Sequence, residues 1–436
     1  MQKVTSNSQN NTGMTDVLII GAGVTGIQAA LDLAGHGIHV HLVEQGPAIG
    51  GHMSQLDKTF PTNDCSMCIL SPKMVDVSRH PNIQIHTCTE VERVEGSKGH
   101  FRVTLKKNPR YIVEDLCNGC GDCVEICPIE VYNEFDAGMG VRKAIYKPHP
   151  QAVPDIVIRD PEHCIECGLC YDACLPAAIK REDYPVTTEI EAGSIIIATG
   201  YGVFDPRKKG QFKYLEFPDV ITSLEFERMI NASGPTGGQL RRLVNGQEPR
   251  NIVFLQCVGS RDVQLGRPWC SCVCCMASIK NAILIREKHP GSAVTICYMD
   301  IRAYGKGYEE YRERAERAGV RFLRGIPGEI DGLPDSMAIL VEDSETGKVE
   351  ELHPDLVVLA VGLGPSAKSA ELAEKLGISL EKTGFFKSLD EKVGVVETNR
   401  PGIYIAGTAV APKDIPDCVA IAGAAAMKAF ISSIRD

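Results

Sequence analysis

Residues 15–45 read TDVLIIGAGVTGIQAALDLAGHGIHVHLVEQ. Val17 to Ile20 is an apolar run of strand length. Gly21-Ala-Gly23-Val-Thr-Gly26 follows at once, and the apolar residues after it recur at helical spacing. His39 to Val43 then reads as a second strand ending at Glu44. Strand, glycine turn, helix, strand and acid, in that order, make a dinucleotide-binding βαβ unit. Gly21 permits the tight turn, Gly23 lets a pyrophosphate approach the backbone, and Gly26 lets the helix close on the sheet. The helix N-terminus turns its free N–H groups and the positive end of its dipole toward the phosphates. Glu44 lies eighteen residues past Gly26, close to where an acid meets a ribose hydroxyl.

Three later features favour FAD over NAD as the dinucleotide. Gly50-Gly51 follows the acid closely, as in the flavin disulfide-reductase superfamily. Ser194-Ile-Ile-Ile-Ala-Thr199-Gly200 resembles that superfamily's Ala-Thr-Gly strand and turn, and Pro401-Gly-Ile-Tyr-Ile-Ala-Gly407 resembles its second FAD strand. The superfamily usually has Asp after that last glycine. This chain has Thr408, which alters the ribityl or pyrophosphate contact.

Two cysteine runs interrupt this half. Cys117-Asn-Gly-Cys120-Gly-Asp-Cys123-Val-Glu-Ile-Cys127 and Cys164-Ile-Glu-Cys167-Gly-Leu-Cys170-Tyr-Asp-Ala-Cys174 both have the C-x₂-C-x₂-C-x₃-C spacing of a two-cluster ferredoxin. In that pattern the fourth cysteine of each run serves the other cube. One [4Fe–4S] cluster is therefore expected on Cys117, Cys120, Cys123 and Cys174, and the other on Cys164, Cys167, Cys170 and Cys127. Zinc and disulfides are poorer readings of eight thiols in this doubled pattern. The segment from Pro109 to Tyr184 carries 14 acids and 7 bases. An acidic docking face for a basic partner, or simply a solvated surface, would produce that imbalance.

A second α/β unit follows. Asn251 to Cys257 reads as a strand, 276–288 as a helix, Ser292 to Tyr298 as a strand and Tyr308 to Ala318 as a charged helix. Asp355-Leu-Val-Val-Leu-Ala-Val-Gly362 is expected to return the chain to the FAD half. In a reductase with two dinucleotide domains, this middle unit opens with its own glycine loop and binds a nicotinamide. Here the strand runs into Cys257-Val-Gly259-Ser-Arg-Asp262, which lacks the other glycines, and Gly362-Leu-Gly364 is followed by Pro365. In place of the loop stand Cys257, Cys270, Cys272, Cys274 and Cys275, five thiols within nineteen residues. Adjacent Cys274 and Cys275 ill suit one tetrahedral ion but can reach two irons of a larger cluster. A third, unusual iron–sulfur cluster is expected, with four ligands among the five.

Cys65-Ser-Met-Cys68 has the spacing of half a metal site or of a redox-active dithiol. Cys88, Cys297 and Cys418 are isolated and read as core residues. The eleven histidines show no metal-ligand spacing, and no acid–base catalytic constellation stands out.

The chain has 436 residues, 44% of them hydrophobic and 23% charged, with a net charge of −10. It is long enough for two or three domains with sizeable cores, and neither its charge nor any basic stretch suggests phosphate-backbone binding. Eighteen cysteines, most of them at ligand spacings, point to a reducing interior. No long uninterrupted apolar run is found, so membrane contact is expected only through a partner. The polar stretch 1–13 reads as a disordered tail.

Several blocks carry a more specific resemblance: Leu56-Asp-Lys-Thr-Phe-Pro61, Cys65-Ser-Met-Cys-Ile-Leu-Ser-Pro-Lys73, Cys257-Val-Gly-Ser-Arg-Asp262 with the CSCVCC run, Tyr298-Met-Asp-Ile-Arg302 with Gly305-Lys-Gly-Tyr-Glu309, and Ala411-Pro-Lys-Asp-Ile-Pro-Asp417. From about Asp16 onward the chain resembles the A subunit of heterodisulfide reductase and its relative, the A subunit of the quinone-interacting membrane-bound oxidoreductase. It is expected to be a short form, without the extra N-terminal domain and the C-terminal ferredoxin domain of the long methanogenic one. The resemblance implies an α/β, thioredoxin-reductase-like fold with two dinucleotide domains and an inserted two-cluster ferredoxin domain. It implies Cys257, Cys270, Cys274 and Cys275 as ligands of the unusual cluster, leaving Cys272 spare, and places Lys413 near the isoalloxazine. The cofactor residues on this reading are Gly21, Gly23, Gly26, Glu44, Gly51, Thr199, Gly200, Gly407 and Lys413.

The expected divisions are 14–108, 187–234 and 351–436 for the FAD-binding domain, 109–186 for the ferredoxin insert and 235–350 for the nicotinamide-like unit. The expected activity is electron relay between FAD and the clusters, with bifurcation one mode compatible with the cofactors. The expected partners are the other subunits of a heterodisulfide-reductase-like or quinone-linked complex, with ferredoxin-like or hydrogenase-type carriers. The expected location is the cytoplasm, peripheral to the membrane where a partner is. Two rivals remain: a self-contained NAD(P)H-dependent iron–sulfur flavoprotein, which would need the second glycine loop, and an assembly module with purely structural clusters.

Overall fold

The apolar runs of the first half assemble into one parallel sheet. The computed structural model describes residues 14–434, so the expected 1–13 tail lies outside the described residues. Strands Ile403–Ile405, Ser194–Ile197, Val17–Ile20, Val40–Val43 and Ile83–His86 lie side by side in that order, all parallel. The four residues of Val17–Ile20 and of Ser194–Ile197 are all buried, as strands covered on both faces must be. One face packs on helices Val24–Gly35, Ser66–Arg79 and Ile415–Ser433. The other packs on an antiparallel sheet of Thr89–Ser97, His100–Lys107 and Val186–Ala192.

The cysteine-rich insert enters between two of these antiparallel strands. Val186 pairs directly with Lys107, so the ends of the inserted segment are held together by the ladder. That closure leaves the insert free to fold on its own small core of Ile112, Cys123, Ile145, Val157 and Ala178. It is not left loose. Arg228, only 1% exposed, donates from Nε to Asp136 Oδ1 of the insert at 2.9 Å and from a terminal nitrogen to the Gln55 carbonyl at 3.0 Å. Gln55 in turn donates to the Phe135 carbonyl at 2.9 Å. Arg228→Ala would strand the Asp136 carboxylate, and breaking a buried pair from one side costs about 3–5 kcal/mol. A lowered melting temperature of the holoprotein, with Asp136→Asn less affected, is the expected result.

The second unit repeats the architecture. Val220–Thr222, Leu356–Val361, Asn251–Val258, Ala293–Tyr298 and Arg321–Arg324 form a parallel sheet, accompanied by antiparallel strands Asp331–Leu333, Ser336–Asp343 and Lys348–Leu352. This corrects two boundaries. Leu356–Val361, expected in the returning FAD half, pairs in register with Asn251–Val258 (Ile252 opposite Leu356), so the chain returns only after it. Val220–Thr222 and helix Ser223–Ile230, expected within the FAD half, also belong to this unit. Its helix Cys274–Lys288 starts two residues before the expected 276, which places the adjacent cysteines in its first turn.

Helix Ile415–Ser433 is long and apolar enough to cross a membrane by length and composition. Here Ala422, Ala425, Ala426 and Ala429 pack in the core formed with helix Val24–Gly35.

Candidate functional site

The C-terminal ends of the first sheet's strands open into a cleft. Gly21 has φ +100, and a Cβ there would stand 2.4 Å from the Ala198 carbonyl oxygen. A Cβ on Gly26 would lie 1.9 Å from the Gly21 carbonyl oxygen, so the helix can approach the turn only without one. At Gly23 the nearest atom would be Gly51 Cα at 3.9 Å, while a Cβ on Gly51 would reach Gly23 Cα at 2.9 Å. The two glycine segments therefore lie against each other and leave backbone exposed above the helix. Gly23 caps helix Val24–Gly35 with no side-chain hydrogen bond, so its first-turn N–H groups face the cleft without a competing side-chain acceptor. Glu44 accepts from the Ala22 N–H at 2.9 Å and the Gly46 N–H at 2.8 Å, and burial raises its pKa against those bonds.

The cleft continues into an open pocket lined by Gly21, Glu44, Thr199, Ser366, Lys368 and Lys375 among others. Thr199 Oγ1 is buried there with no hydrogen-bond partner. An orphaned hydroxyl, a bare glycine backbone and an uncapped helix end fit a bound dinucleotide. Gly200 turns the chain at φ +73, and a Cβ on Gly407 would strike Thr25 Oγ1 at 2.3 Å, which packs the last FAD turn on the phosphate helix.

In the insert, Gly121 and Gly168, both left-handed, start the short helices Asp122–Glu125 and Leu169–Ala173. Burial pushes the Cys123 thiol up to about 12, with Cys174, Cys117 and Cys120 near enough to raise it further. Cys127, Cys164, Cys167 and Cys170 line one small pocket. Burial also raises the Cys170 thiol, and Cys164 and Cys167 add to it. Each group of four thus combines three cysteines of one run with the last of the other. Thiols this close oppose one another's ionisation, and metal charge makes such a thiolate set tenable. The donor sets fit iron–sulfur cubes.

The third group sits where a second phosphate loop would be. The ladder slips between Leu255 and Val258, and Cys257 takes a left-handed φ of +62, which turns its side chain out of the strand pattern. Cys274 and Cys275 open helix Cys274–Lys288, whose dipole favours thiolates there. Burial pushes Cys257 up to about 11, with Cys275 and Cys270 contributing, and raises Cys274 and Cys275 as well. Cys270 is pulled down to about 6 by the Cys272 thiol, with Arg302 and Arg261 helping. Cys257, Cys270, Cys274 and Cys275 thus act on one another, whereas Cys272 engages Cys270 and Tyr304. Above Gly259 the phosphate position is filled: a Cβ there would lie 2.1 Å from the Phe204 ring. Arg267 donates to the Gly259 carbonyl at 2.6 Å and lies over Phe204 and Trp269.

Tyr201 joins the two sites. Its ring stacks on His52 at 4.4 Å, next to the Gly50-Gly51 segment. Burial drives its phenol pKa upward, and Cys418 and Cys274 are near enough to add to the effect. Asp414 caps helix Ile415–Ser433 and accepts from the Tyr308 hydroxyl at 2.6 Å, so half-buried Lys413 stands at the seam of the two units. Cys65 and Cys68 form a disulfide, with Cys68 exposed and Cys65 capping helix Ser66–Arg79. That pairing favours the dithiol reading over half a metal site. Cys88, Cys297 and Cys418 are buried.

Sequence reasoning missed Tyr201, His52, Lys368 and Lys375. Tyr201 directly follows the Ala-Thr-Gly turn and could have been found. The lysines reach the cavity from a helix remote in sequence.

Three family models match the chain: an FAD dependent oxidoreductase over 16–56, a 4Fe-4S dicluster domain over 116–179, and a pyridine nucleotide-disulphide oxidoreductase over 284–426. The thioredoxin reductase of T. acidophilum has the same fold, with a TM-score of 0.53 at 15% identity over 97% of this chain and 99% of that one. The A subunit of the H(2):CoB-CoM heterodisulfide,ferredoxin reductase of Methanothermobacter thermautotrophicus is 51% identical over 420 residues, 96% of this chain and 64% of that one. The iron-sulfur A subunit of the CoB–CoM heterodisulfide reductase of Methanocaldococcus jannaschii is 52% identical over 412 residues, 94% of this chain and 63% of that one. The chain therefore spans a little under two thirds of the length of these relatives. Across that shared region the chain is similar to the A subunits of heterodisulfide reductases, at 44–52% identity over nearly its whole length.

Proposed function

We propose that this chain is an electron-relay subunit, holding FAD between an unusual iron–sulfur cluster and two ferredoxin-type cubes and exchanging electrons with partner subunits. The observation that carries the reading is the replacement of a nicotinamide phosphate loop by Cys257, Cys270, Cys274 and Cys275, next to Tyr201 at the flavin cleft. Gly21, Gly23, Gly26 and Gly51 would hold the pyrophosphate, Glu44 the ribose, and Thr199, Gly200, Gly407 and Lys413 the flavin side. FAD, when bound, accepts electrons in pairs and releases them singly, which suits one-electron clusters on either side. Arg228 and Gln55 fix the insert against the same cleft, as a wire requires. The substrate chemistry would belong to partner subunits, in the cytoplasm and at a membrane only where a partner is.

The test is anaerobic rapid mixing of the holoprotein with a reduced ferredoxin, following cluster and flavin absorbance. Electrons should reach the flavin in the native chain, and Cys120→Ala should slow that arrival by at least an order of magnitude. Unchanged flavin reduction in this variant would mean that the insert is structural. Cys272→Ser, in contrast, should keep the third cluster's signal.

A further inference from the structure

One cluster of ligating side chains lies outside all of these sites. His39 and His41 are two apart around the start of strand Val40–Val43, so both project from the same face of the sheet. Asp16 immediately precedes the neighbouring strand Val17–Ile20. The parallel register brings the three together: Asp16 Oδ2 is 3.0 Å from His39 Nδ1 and 3.3 Å from His41 Nε2. All three ligand atoms lie within 4.8 Å of one another. The other nitrogen of His41, Nδ1, is 3.1 Å from Nε2 of His86, the last residue of the next strand.

We infer that Asp16, His39 and His41 form a site for a divalent first-row cation of the zinc type, with His86 orienting His41 from behind. Four observations support it. Zinc takes imidazole nitrogen and carboxylate oxygen at about 2.0–2.2 Å, so neighbouring ligands of a tetrahedral ion stand about 3.3 Å apart. The 3.0 and 3.3 Å separations to Asp16 match that edge, and the third edge, between the two imidazoles, lies within 4.8 Å. The backbone is fixed beforehand: Val17 N–H donates to the His39 carbonyl at 2.9 Å, and Gly193 N–H to the Asp16 carbonyl at 2.7 Å. His41 reaching another residue through its second ring nitrogen is the arrangement by which proteins orient a ligating imidazole. Finally, side-chain exposures of 28% for Asp16, 19% for His39 and 9% for His41 leave an entry path and room for water as a fourth ligand.

The site is separate from the flavin. Asp16 lies five positions before Gly21 along the strand Val17–Ile20, roughly 16 Å along the chain. The ion therefore ties neighbouring strands of the FAD-binding sheet at the end opposite the phosphates. The sequence hid it because the two histidines read as ordinary strand alternation, and the third ligand comes from another strand.

The experiment uses the holoprotein with flavin and clusters loaded, so that the cluster cysteines are occupied. After equilibration with zinc chloride and gel filtration, zinc is counted by mass spectrometry and its surroundings are read by X-ray absorption. About one zinc per chain is expected, with nitrogen and oxygen neighbours at about 2.0–2.2 Å and no sulfur shell at about 2.3 Å. His39→Gln/His41→Gln should lose that zinc while keeping its iron and flavin content. His86→Gln, which touches no ligand atom, should weaken zinc binding by about 10–100-fold and serves if the double variant fails to fold. Zinc held by sulfur, zinc absent from the native chain, or undiminished zinc in the substituted chains would overturn the assignment.

Discussion

Cys274→Ala is expected to abolish the third cluster's spectroscopic signal while the two ferredoxin-type signals persist. Cys274 occupies the first position of helix Cys274–Lys288, where the thiols of Cys275, Cys257 and Cys270 bear on it. Cys272 lies against Cys270 and Tyr304 and is not among the thiols that bear on Cys274. The ferredoxin cysteines sit on a separate core in the insert, so their cubes should be untouched. Electron exchange between the flavin and a partner served through this cluster should fall by orders of magnitude, since a missing carrier cannot be bypassed by side chains. Electron paramagnetic resonance and iron analysis read the first effect, and rapid-mixing absorbance reads the second. The companion variant Cys257→Ala should behave alike. If either retained the third signal and full flavin reduction by the partner, these cysteines would not hold a relay cluster.

Gly26→Ala should yield a chain purified with little or no FAD. Its new methyl group would be placed 1.9 Å from the Gly21 carbonyl oxygen, and neither backbone can yield without moving the phosphate turn. Overpacking of this kind costs roughly 1–3 kcal/mol in stability. The larger consequence is the displaced loop, which no longer presents Gly23 to the pyrophosphate. Gly35, at the end of the same helix, is the control. A Cβ there meets nothing within 4 Å, so Gly35→Ala should keep its flavin and be neutral or slightly stabilising. Flavin released by heat and the melting temperature distinguish the two. Full flavin occupancy in Gly26→Ala would place the dinucleotide elsewhere.

The first βαβ unit was legible in the sequence because local chemistry determines it. A four-residue apolar run, glycines at fixed spacing and a closing acid have few other structures available. The ferredoxin insert was legible from cysteine spacing for the same reason. Leu356–Val361 was not, since LVVLAV reads as a buried parallel strand in either sheet, and only its register with Asn251–Val258 decides. Lys368 and Lys375 were hidden because tertiary packing brings them to the cleft, whereas Tyr201 follows directly on the legible Ala-Thr-Gly turn. The filling of the second phosphate position by Phe204 and Arg267 was hidden likewise, although the missing glycines already pointed to it.

The central claim is that electrons enter this chain from another protein because a cysteine cluster has replaced its nicotinamide site. The most direct test is an anaerobic titration of the holoprotein with NADH and NADPH, following flavin and cluster absorbance, with dithionite added last. No bleaching by either nicotinamide and full bleaching by dithionite is the predicted result. Rapid bleaching by a modest excess of nicotinamide would show that the second unit still binds it, and would contradict the relay.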